Sequence, residues 1–350
     1  MLVTILVFVL ILVVLVIAHE AGHFFVARSF GMYVEEFAVG FPPRLWSWVK
    51  NGVRYSINAI PLGGYVKIPG ENGDDETVLE KAKALLHGEK LFSKQLAWKR
   101  ILVLCAGVGA NILIGWILLV PVFMQGIEGG IVVVQVAQNS PAQQAEIQPG
   151  DQIMGFDSVD LFITKTKEQV GNEMTIVVKR GQDERTVVMN PRVNPPQGEG
   201  ALGIALGESG IPAVSFFDAV KQSAQLGWSM IVGIFTLLIG IIGSVFGLAS
   251  REGAQFITGP VGVFQATAQA ASLGWVHVLY LMAIISINLA AVNIFPFPAL
   301  DGGRVVLTIV EKIKGSPVSA RTQGIINGVG FFVLMALLLV VSIRDVVKLW

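Results

Sequence analysis

Long uncharged runs alternate with polar regions along this chain. Four runs are long and apolar enough to form helices across the hydrocarbon core of a bilayer, which is about 30 Å thick. They are residues 2–18, 101–124, 276–300 and 325–343. Residues 222–250 form a further uncharged stretch, which hydropathy alone would also assign as a span. The pattern predicts a polytopic α-helical membrane protein with about four transmembrane helices.

Residues 126–208 have the pattern of a small β-rich domain inserted between the membrane runs. "GIVVVQV" predicts a strand, and "TIVVKRGQDERTVVMN" predicts a hairpin that turns at Arg180, Gly181 and Gln182. Between them, "NSPAQQAEIQPGDQI" predicts a short helix flanked by two turns, followed by another strand. The segment "NPPQGEG" is typical of a linker.

Composition agrees with a membrane protein and excludes several other classes. The chain is 53% hydrophobic and only 14% charged, with a mean hydropathy of +0.67, which excludes a soluble globular protein. Its net charge is zero, so nothing indicates a nucleic-acid partner. The single cysteine, Cys105, excludes an intrachain disulfide and a cysteine-based metal site. The first run lacks a basic start and a small-residue cleavage site, which favours a retained helix over a cleaved signal peptide.

The distribution of basic residues predicts the orientation of the chain. Residues 29–100 are rich in lysine and arginine, and so is the segment from Arg304 to Arg321. Because basic loops remain in the cytoplasm, both segments are expected on the cytoplasmic side. The N-terminus and the β-rich domain are then expected outside.

The motif "HEAGH" at the end of the first apolar run is the strongest chemical signal. On a helix, H-E-x-x-H places His19 and His23 one turn apart on one face. Two imidazoles at this spacing bind one zinc ion, and Glu20 lies beside them to deprotonate a water molecule. Ionisable residues within a span are costly and mark function. The alternative is two interfacial histidines with a glutamate that reaches towards water.

A catalytic zinc site needs a third protein ligand, and Asp301 is the best candidate. The third apolar run, "NLAAVNIFPFPALDGGR", ends at this carboxylate after two prolines that interrupt the helix. Non-helical backbone at membrane depth is tolerated where it lines a wet cavity. A simple helix-terminating turn at "LDGG" is the alternative. His87, in a charged stretch, and His277, at the outer end of the third run, are poorer candidates.

The shared zinc site constrains the topology. The first helix runs inward, so His19 and His23 lie towards the cytoplasm. Asp301 reaches the same side only if residues 222–250 make no net crossing. That stretch is therefore expected to form an interfacial or re-entrant helix, against plain hydropathy.

These residues resemble the site-2 protease family of intramembrane zinc metalloproteases, of the bacterial RseP type, over nearly the whole chain. "VIAHEAGHFFVAR" resembles the family's first helix, and "NLAAVNIFPFPALDGGR" resembles its N-x-x-P-x-P-x-L-D-G motif. "FAVGFPPRLW" and "YSINAIPLGGYVKIPGE" resemble its membrane-associated β-hairpin. "NSPAQQAEIQPGDQI" resembles a pattern of its PDZ domain. "GVGAN" stands where the family has a G-P-x-x-N-like pattern, and it fits close helix packing equally well.

The resemblance implies a function for each motif. It implies that His19, His23 and Asp301 bind Zn²⁺ and that Glu20 is the catalytic base. It also implies that Asn288 and Asn293 hold the substrate backbone. The strand segment 55–68, which contains Gly64 and Tyr65, is suited to pair with an unwound substrate by strand addition. The expected substrates are single-span membrane proteins of the anti-sigma factor type, or remnant signal peptides.

The expected organisation has four parts in a bacterial cytoplasmic membrane. Residues 1–124 form the first part of the membrane core, with the β-loop at about 34–70. Residues 126–208 form one PDZ-like domain outside, where its role is expected to be steric. Residues 209–275 form the interfacial segment, and residues 276–350 complete the core. The rival hypotheses are a non-catalytic membrane PDZ scaffold with a structural zinc and a metal transporter, which needs more ionisable residues in its spans.

Overall fold

The computed structural model describes two compact units. It describes residues 2–71, 84, 88–156, 158–180, 183–196, 198–245 and 259–347. One unit combines Met1–Val122 with Phe216–Trp350 and is called the membrane unit below. The other, the sheet unit, comprises Phe123–Ser215.

Helices dominate the membrane unit, and strands dominate the sheet unit. The membrane unit begins with α1 (Leu2–Ser29), β1 (Glu36–Lys50), β2 (Val53–Lys67), a 3₁₀ turn (Phe92–Lys94) and α2 (Ala97–Gln125). The sheet unit contains β3 (Ile127–Val136), α3 (Pro141–Gln144), β4 (Gln152–Met154), α4 (Val159–Glu168), β5 (Met174–Arg180), β6 (Asp183–Met189) and β7 (Ile204–Ile211). The membrane unit resumes with α5 (Phe216–Val245), α6 (Pro260–Leu273), α7 (Trp275–Ile294), α8 (Asp301–Lys314) and α9 (Ala320–Val347).

The described residues include five helices that are long and apolar enough to cross a membrane. They are α1, α2, α5, α7 and α9. The prediction of a polytopic helical membrane protein is confirmed, but the count of about four spans is not. The additional helix is α5, whose segment Phe216–Ile241 has the length and composition of a span. That residues 222–250 make no net crossing stays a prediction, and residues 246–250 lie outside the described part.

Small residues bring α1 and α2 into close contact. A Cβ atom built on Gly22 would lie 2.7 Å from the backbone carbon of Ala106 and 2.9 Å from Cβ of Ala110. Both distances are shorter than van der Waals contact, so only glycine allows the two helices this approach. Gly22 lies inside the "HEAGH" motif, and the close packing therefore positions the two histidines against α2.

The β1–β2 hairpin lies against α1 beside the motif. The strands are antiparallel, with Val39 opposite Gly64 and Lys50 opposite Val53. A Cβ atom on Gly64 would lie 2.9 Å from Cγ1 of Val16 and 2.8 Å from the backbone oxygen of Ala38. Because Gly64 has no side chain, β2 can pass directly over the turn of α1 that carries Glu20.

A break in the helix places Asp301 at the start of a new element. Helix α7 ends at Ile294, and α8 begins at Asp301, with the two prolines of "FPFP" between them. Ala299 has a positive φ of 72°, and its N–H donates to Oδ1 of Asn327 on α9 at 3.3 Å. Gly302 packs against the end of α7, where its missing Cβ would lie 2.5 Å from the backbone carbon of Ile294. The turn is therefore compact, and Asp301 begins a helix rather than ending one.

The sheet unit is built on five antiparallel strands in the order β6–β5–β4–β3–β7. The predicted hairpin forms, with Arg180 opposite Asp183 and Met174 opposite Met189. The hydrophobic core of the sheet unit includes the fully buried side chains of Val133 and Val178. The predicted short helix is α3, whose first turn Ser140 caps by accepting a hydrogen bond from the N–H of Gln143.

Candidate metal centre

His19, His23 and Asp301 meet inside the membrane unit. The two histidines lie one turn apart on α1, and Asp301 is the first residue of α8. Nε2 of His19 lies 3.2 Å from Nε2 of His23. Oδ2 of Asp301 lies 3.1 Å from Nε2 of His19 and 3.4 Å from Nε2 of His23. All three residues are buried.

This geometry fits a zinc ion. Tetrahedral zinc with bonds of about 2.0–2.1 Å separates its ligand atoms by about 3.3–3.4 Å. The three measured separations are close to that value. Oδ2 of Asp301 is buried and has no hydrogen-bond partner among the described residues, which is costly for a carboxylate oxygen unless a cation compensates. Three protein ligands leave one coordination position for water, as in catalytic zinc sites.

Helix α2 provides the space and the outer contacts for both imidazoles. Gly107 lies directly under the rings, and a Cβ atom there would lie 2.7 Å from Cδ2 of His23 and 2.8 Å from Cε1 of His19. The backbone oxygen of Val103 lies 2.8 Å from Nδ1 of His23. Nδ2 of Asn111 lies 3.3 Å from Nδ1 of His19. Val103, Gly107 and Asn111 follow one another at four-residue intervals and therefore share one face of α2.

A cavity of about 450 Å³ opens next to the three ligand atoms. Its wall includes Glu20, together with Gly64 and Tyr65 of β2. Asn293 of α7 lines it as well, and its Nδ2 lies 3.5 Å from Nε2 of His19. The cavity therefore brings a carboxylate, a strand edge and an amide to the candidate metal position, where they can contact a peptide backbone.

Two of the histidine and asparagine candidates, Asn288 and His277, lie elsewhere. Asn288 is exposed on α7 and does not line the cavity, because it precedes Asn293 by five residues and faces a different direction. Its role in substrate binding stays a prediction. His277 lies at the other end of α7, about 24 Å from Asn293 along the helix axis. His87 lies outside the described residues.

The cavity also contains an ion pair that the sequence did not predict. Oε1 of Glu71, just after β2, accepts a hydrogen bond from Arg304 on α8 at 2.9 Å. Both residues line the cavity. Burial raises the pKa of Glu71 above its usual value, and the neighbouring guanidinium of Arg304 opposes that shift. The pair joins the end of the hairpin to the helix that carries Asp301, and 233 residues separate the two partners in sequence.

Comparison with known proteins identifies the family. The profile of peptidase family M50 matches residues 7–337. The chain belongs to peptidase family M50. The predicted resemblance to the site-2 proteases is thereby confirmed.

Full-length relatives support the same assignment. The zinc metalloprotease RasP of Shouchella clausii is 28% identical, and the alignment covers 99% of both chains. A putative zinc metalloprotease of Clostridium perfringens is 30% identical over 95% of both chains. One of Synechocystis sp. is 32% identical over 97% of this chain and 93% of its own. This M50 peptidase is therefore a zinc metalloprotease of the membrane, and its relatives are bacterial.

Proposed function

We propose that this protein is an intramembrane zinc endopeptidase in which His19, His23 and Asp301 hold the metal and Glu20 is the catalytic base. The observation that carries the proposal is the triangle of ligand atoms beside a cavity, formed between helices of membrane-spanning length. Its separations suit zinc, and the cavity gives space to water and a peptide backbone.

The groups around the cavity have separate roles in the reaction. Bound zinc supplies a Lewis acid that lowers the pKa of water and polarises a carbonyl oxygen. Glu20 takes the proton of the attacking water and passes it to the leaving amine. The protein must also exclude bulk water, and the buried position of the ligands serves that purpose.

The substrate must present an extended backbone to this site. A helical peptide bond is shielded by its own hydrogen bonds, so the substrate helix unwinds first, and its freed N–H and C=O groups then need partners. The edge of β2 at Gly64 and Tyr65 offers backbone groups by strand addition. The side chain of Asn293 offers both a donor and an acceptor next to the metal position. Asn288 is proposed to act further along the same substrate.

The remaining parts of the chain are proposed to control access. Residues 126–208 form a PDZ-like domain outside the bacterial cytoplasmic membrane, and the active site opens towards the cytoplasm. The domain excludes untrimmed proteins by size, so the substrates are single-span proteins already shortened outside, of the anti-sigma factor type, or remnant signal peptides. Residues 209–275, of which 246–258 lie outside the described residues, are proposed to include the interfacial or re-entrant segment before the Asp301-bearing half of the core.

Cleavage in reconstituted vesicles tests this function. The purified full chain is incorporated into lipid vesicles with a single-span reporter substrate, and mass spectrometry identifies the new peptide ends. We expect ends within the membrane-spanning segment, loss of cleavage with a zinc chelator, and recovery when zinc is restored. Cleavage only outside the span contradicts the intramembrane assignment. Zinc binding without any cleavage of a panel of trimmed substrates favours the non-catalytic scaffold instead.

A further inference from the structure

The second nitrogen of each candidate ligand histidine decides whether Nε2 can bind a metal. A neutral imidazole carries one proton, so Nε2 has a free lone pair only when Nδ1 is protonated. Nδ1 of His23 faces the backbone oxygen of Val103 at 2.8 Å. A carbonyl oxygen can only accept, so this contact places the proton on Nδ1 and leaves Nε2 of His23 free for the metal.

Nδ1 of His19 faces a side chain that could either donate or accept. Its neighbour is the amide of Asn111, which is fully buried. If the amide nitrogen donated to Nδ1, the ring proton would sit on Nε2 and block metal binding. If the amide oxygen accepts from Nδ1–H, Nε2 is free. The two ends of an amide have the same shape, so the side chain can present either one to the ring.

We propose that Asn111 is a positioning residue that fixes His19 in the zinc-binding tautomer by accepting the Nδ1 proton through its side-chain oxygen. This inference rests on the proposed role of His19 as a zinc ligand. In the structure the side-chain oxygen of Asn111 is buried and has no hydrogen-bond partner among the described residues. Turning the amide gives this oxygen the Nδ1–H donor.

The backbone of α2 holds Asn111 in place for this task. The hydroxyl of Ser286 on α7 donates to the backbone oxygen of Asn111 at 2.8 Å, within the buried interface. One turn further along α2, a Cβ on Gly115 would lie 3.2 Å from the backbone oxygen of Ala283, so the two helices are in close contact. Asn111 therefore lies where α2 meets both α1 and α7, and its amide cannot easily leave the imidazole.

Two substitutions distinguish the role of the Asn111 side chain as a hydrogen-bond acceptor from its role in helix packing. Asn111→Leu keeps the size of the side chain and removes its hydrogen bonds, whereas Asn111→Asp can only accept. Loss of an outer partner of a metal-bound histidine lowers metal affinity by about 10- to 100-fold. We expect that loss for the leucine variant, and affinity close to the unsubstituted protein for the aspartate variant. Leu113→Ala, at an exposed position of the same helix, is the control and should leave zinc affinity unchanged.

The measurement is zinc affinity of the purified full chain by competition with a fluorescent chelator, with His19→Ala measured alongside. Equal affinity in the leucine variant and the unsubstituted protein overturns the proposal, and so does an equal loss in the leucine and aspartate variants. If the leucine variant fails to fold, the aspartate variant decides alone. Tight binding then supports an acceptor role, and a 10-fold loss overturns it. Full zinc affinity in His19→Ala would instead show that the proposed ligand set is wrong.

Discussion

Gly107 provides the sharpest test of the metal centre, because its missing side chain leaves room for both imidazoles. The Gly107→Ala substitution would place Cβ 2.7 Å from Cδ2 of His23 and 2.8 Å from Cε1 of His19, and closer still to Nε2 of His23. Non-bonded carbon atoms need about 3.5 Å, so the rings must retreat by at least about 0.7 Å. The rings have little freedom to do so, because Nδ1 of His23 is held by Val103.

That displacement is large compared with what a metal site tolerates. Metal–ligand distances in functional sites stay within about 0.2 Å of their ideal values. We therefore expect the alanine variant to lose zinc affinity by at least about 100-fold, the upper end of the loss caused by removing an outer partner of a ligand. Proteolysis should fall in parallel. Helix propensity works in the opposite direction, since alanine favours a helix over glycine by up to about 1 kcal/mol.

A matched control lies two residues further along α2. Gly109 is exposed, and a Cβ atom there would have no atom within 4 Å among the described residues other than its chain neighbours and the backbone of its own helix. Gly109→Ala makes the same chemical change on the opposite side of the helix, so zinc binding and cleavage should stay at the level of the unsubstituted protein. The assay is chelator competition on both purified variants, with thermal unfolding measured in excess chelator. Full zinc affinity in Gly107→Ala, with both variants folded, would refute this geometry of the metal centre.

Three further predictions concern other parts of the chain. Asp301→Ala should reduce bound zinc, measured by elemental analysis, because it removes one of the three proposed ligands; an unchanged zinc content removes Asp301 from the site. The effects of Glu71→Gln and Arg304→Met on the free energy of unfolding should add up to more than the effect of the double substitution, with a coupling of about 0.5–3 kcal/mol in a double-mutant cycle; no coupling contradicts the ion pair. In the sheet unit, the hydrogen bond from Arg180 holds the pKa of Asp151 below its usual value, although burial opposes this. A lowered pKa stabilises the fold above the carboxyl group's unfolded pKa of about 4, and that effect is lost as the pH falls through the folded pKa. The protection factors of β4 and β5, which are exchange rates corrected for the intrinsic pH dependence of amide exchange, should therefore fall in acid, and Arg180→Met should remove most of that pH dependence.

The sequence was sufficient to select His19, His23 and Asp301 as candidate ligands because their chemistry is local. H-E-x-x-H fixes two imidazoles on one helical face by spacing alone, and the apolar run that ends at Asp301 marks a carboxylate at membrane depth. The sequence could not predict which residues of α2 contact the two imidazoles. Gly107, Gly109 and Asn111 all fitted close helix packing, but the structure places Gly107 under the histidine rings and leaves Gly109 exposed. That distinction depends on how α2 rotates against α1.

The ion pair of Glu71 and Arg304 was also beyond sequence reasoning. Its partners are 233 residues apart, and each is the last residue of a stretch that resembles a family motif for other reasons. Helix α5 shows that hydropathy alone could not decide whether a segment crosses the membrane. Its apolar length fits a crossing, and the chemical constraint on Asp301 argued against one. Hydropathy measures only whether a helix can enter the bilayer, whereas net topology depends on all the helices together.

The central claim is that Glu20 is the base of a zinc-dependent cleavage, and one comparison tests it most directly. Cleavage of a single-span reporter is measured in vesicles for the unsubstituted protein and for Glu20→Gln, with the zinc content of both determined on the same preparations. We expect the glutamine variant to retain zinc and lose cleavage, because the amide keeps the size of the side chain but cannot accept the proton of water. Full cleavage by the glutamine variant would contradict the assignment of Glu20 as the base.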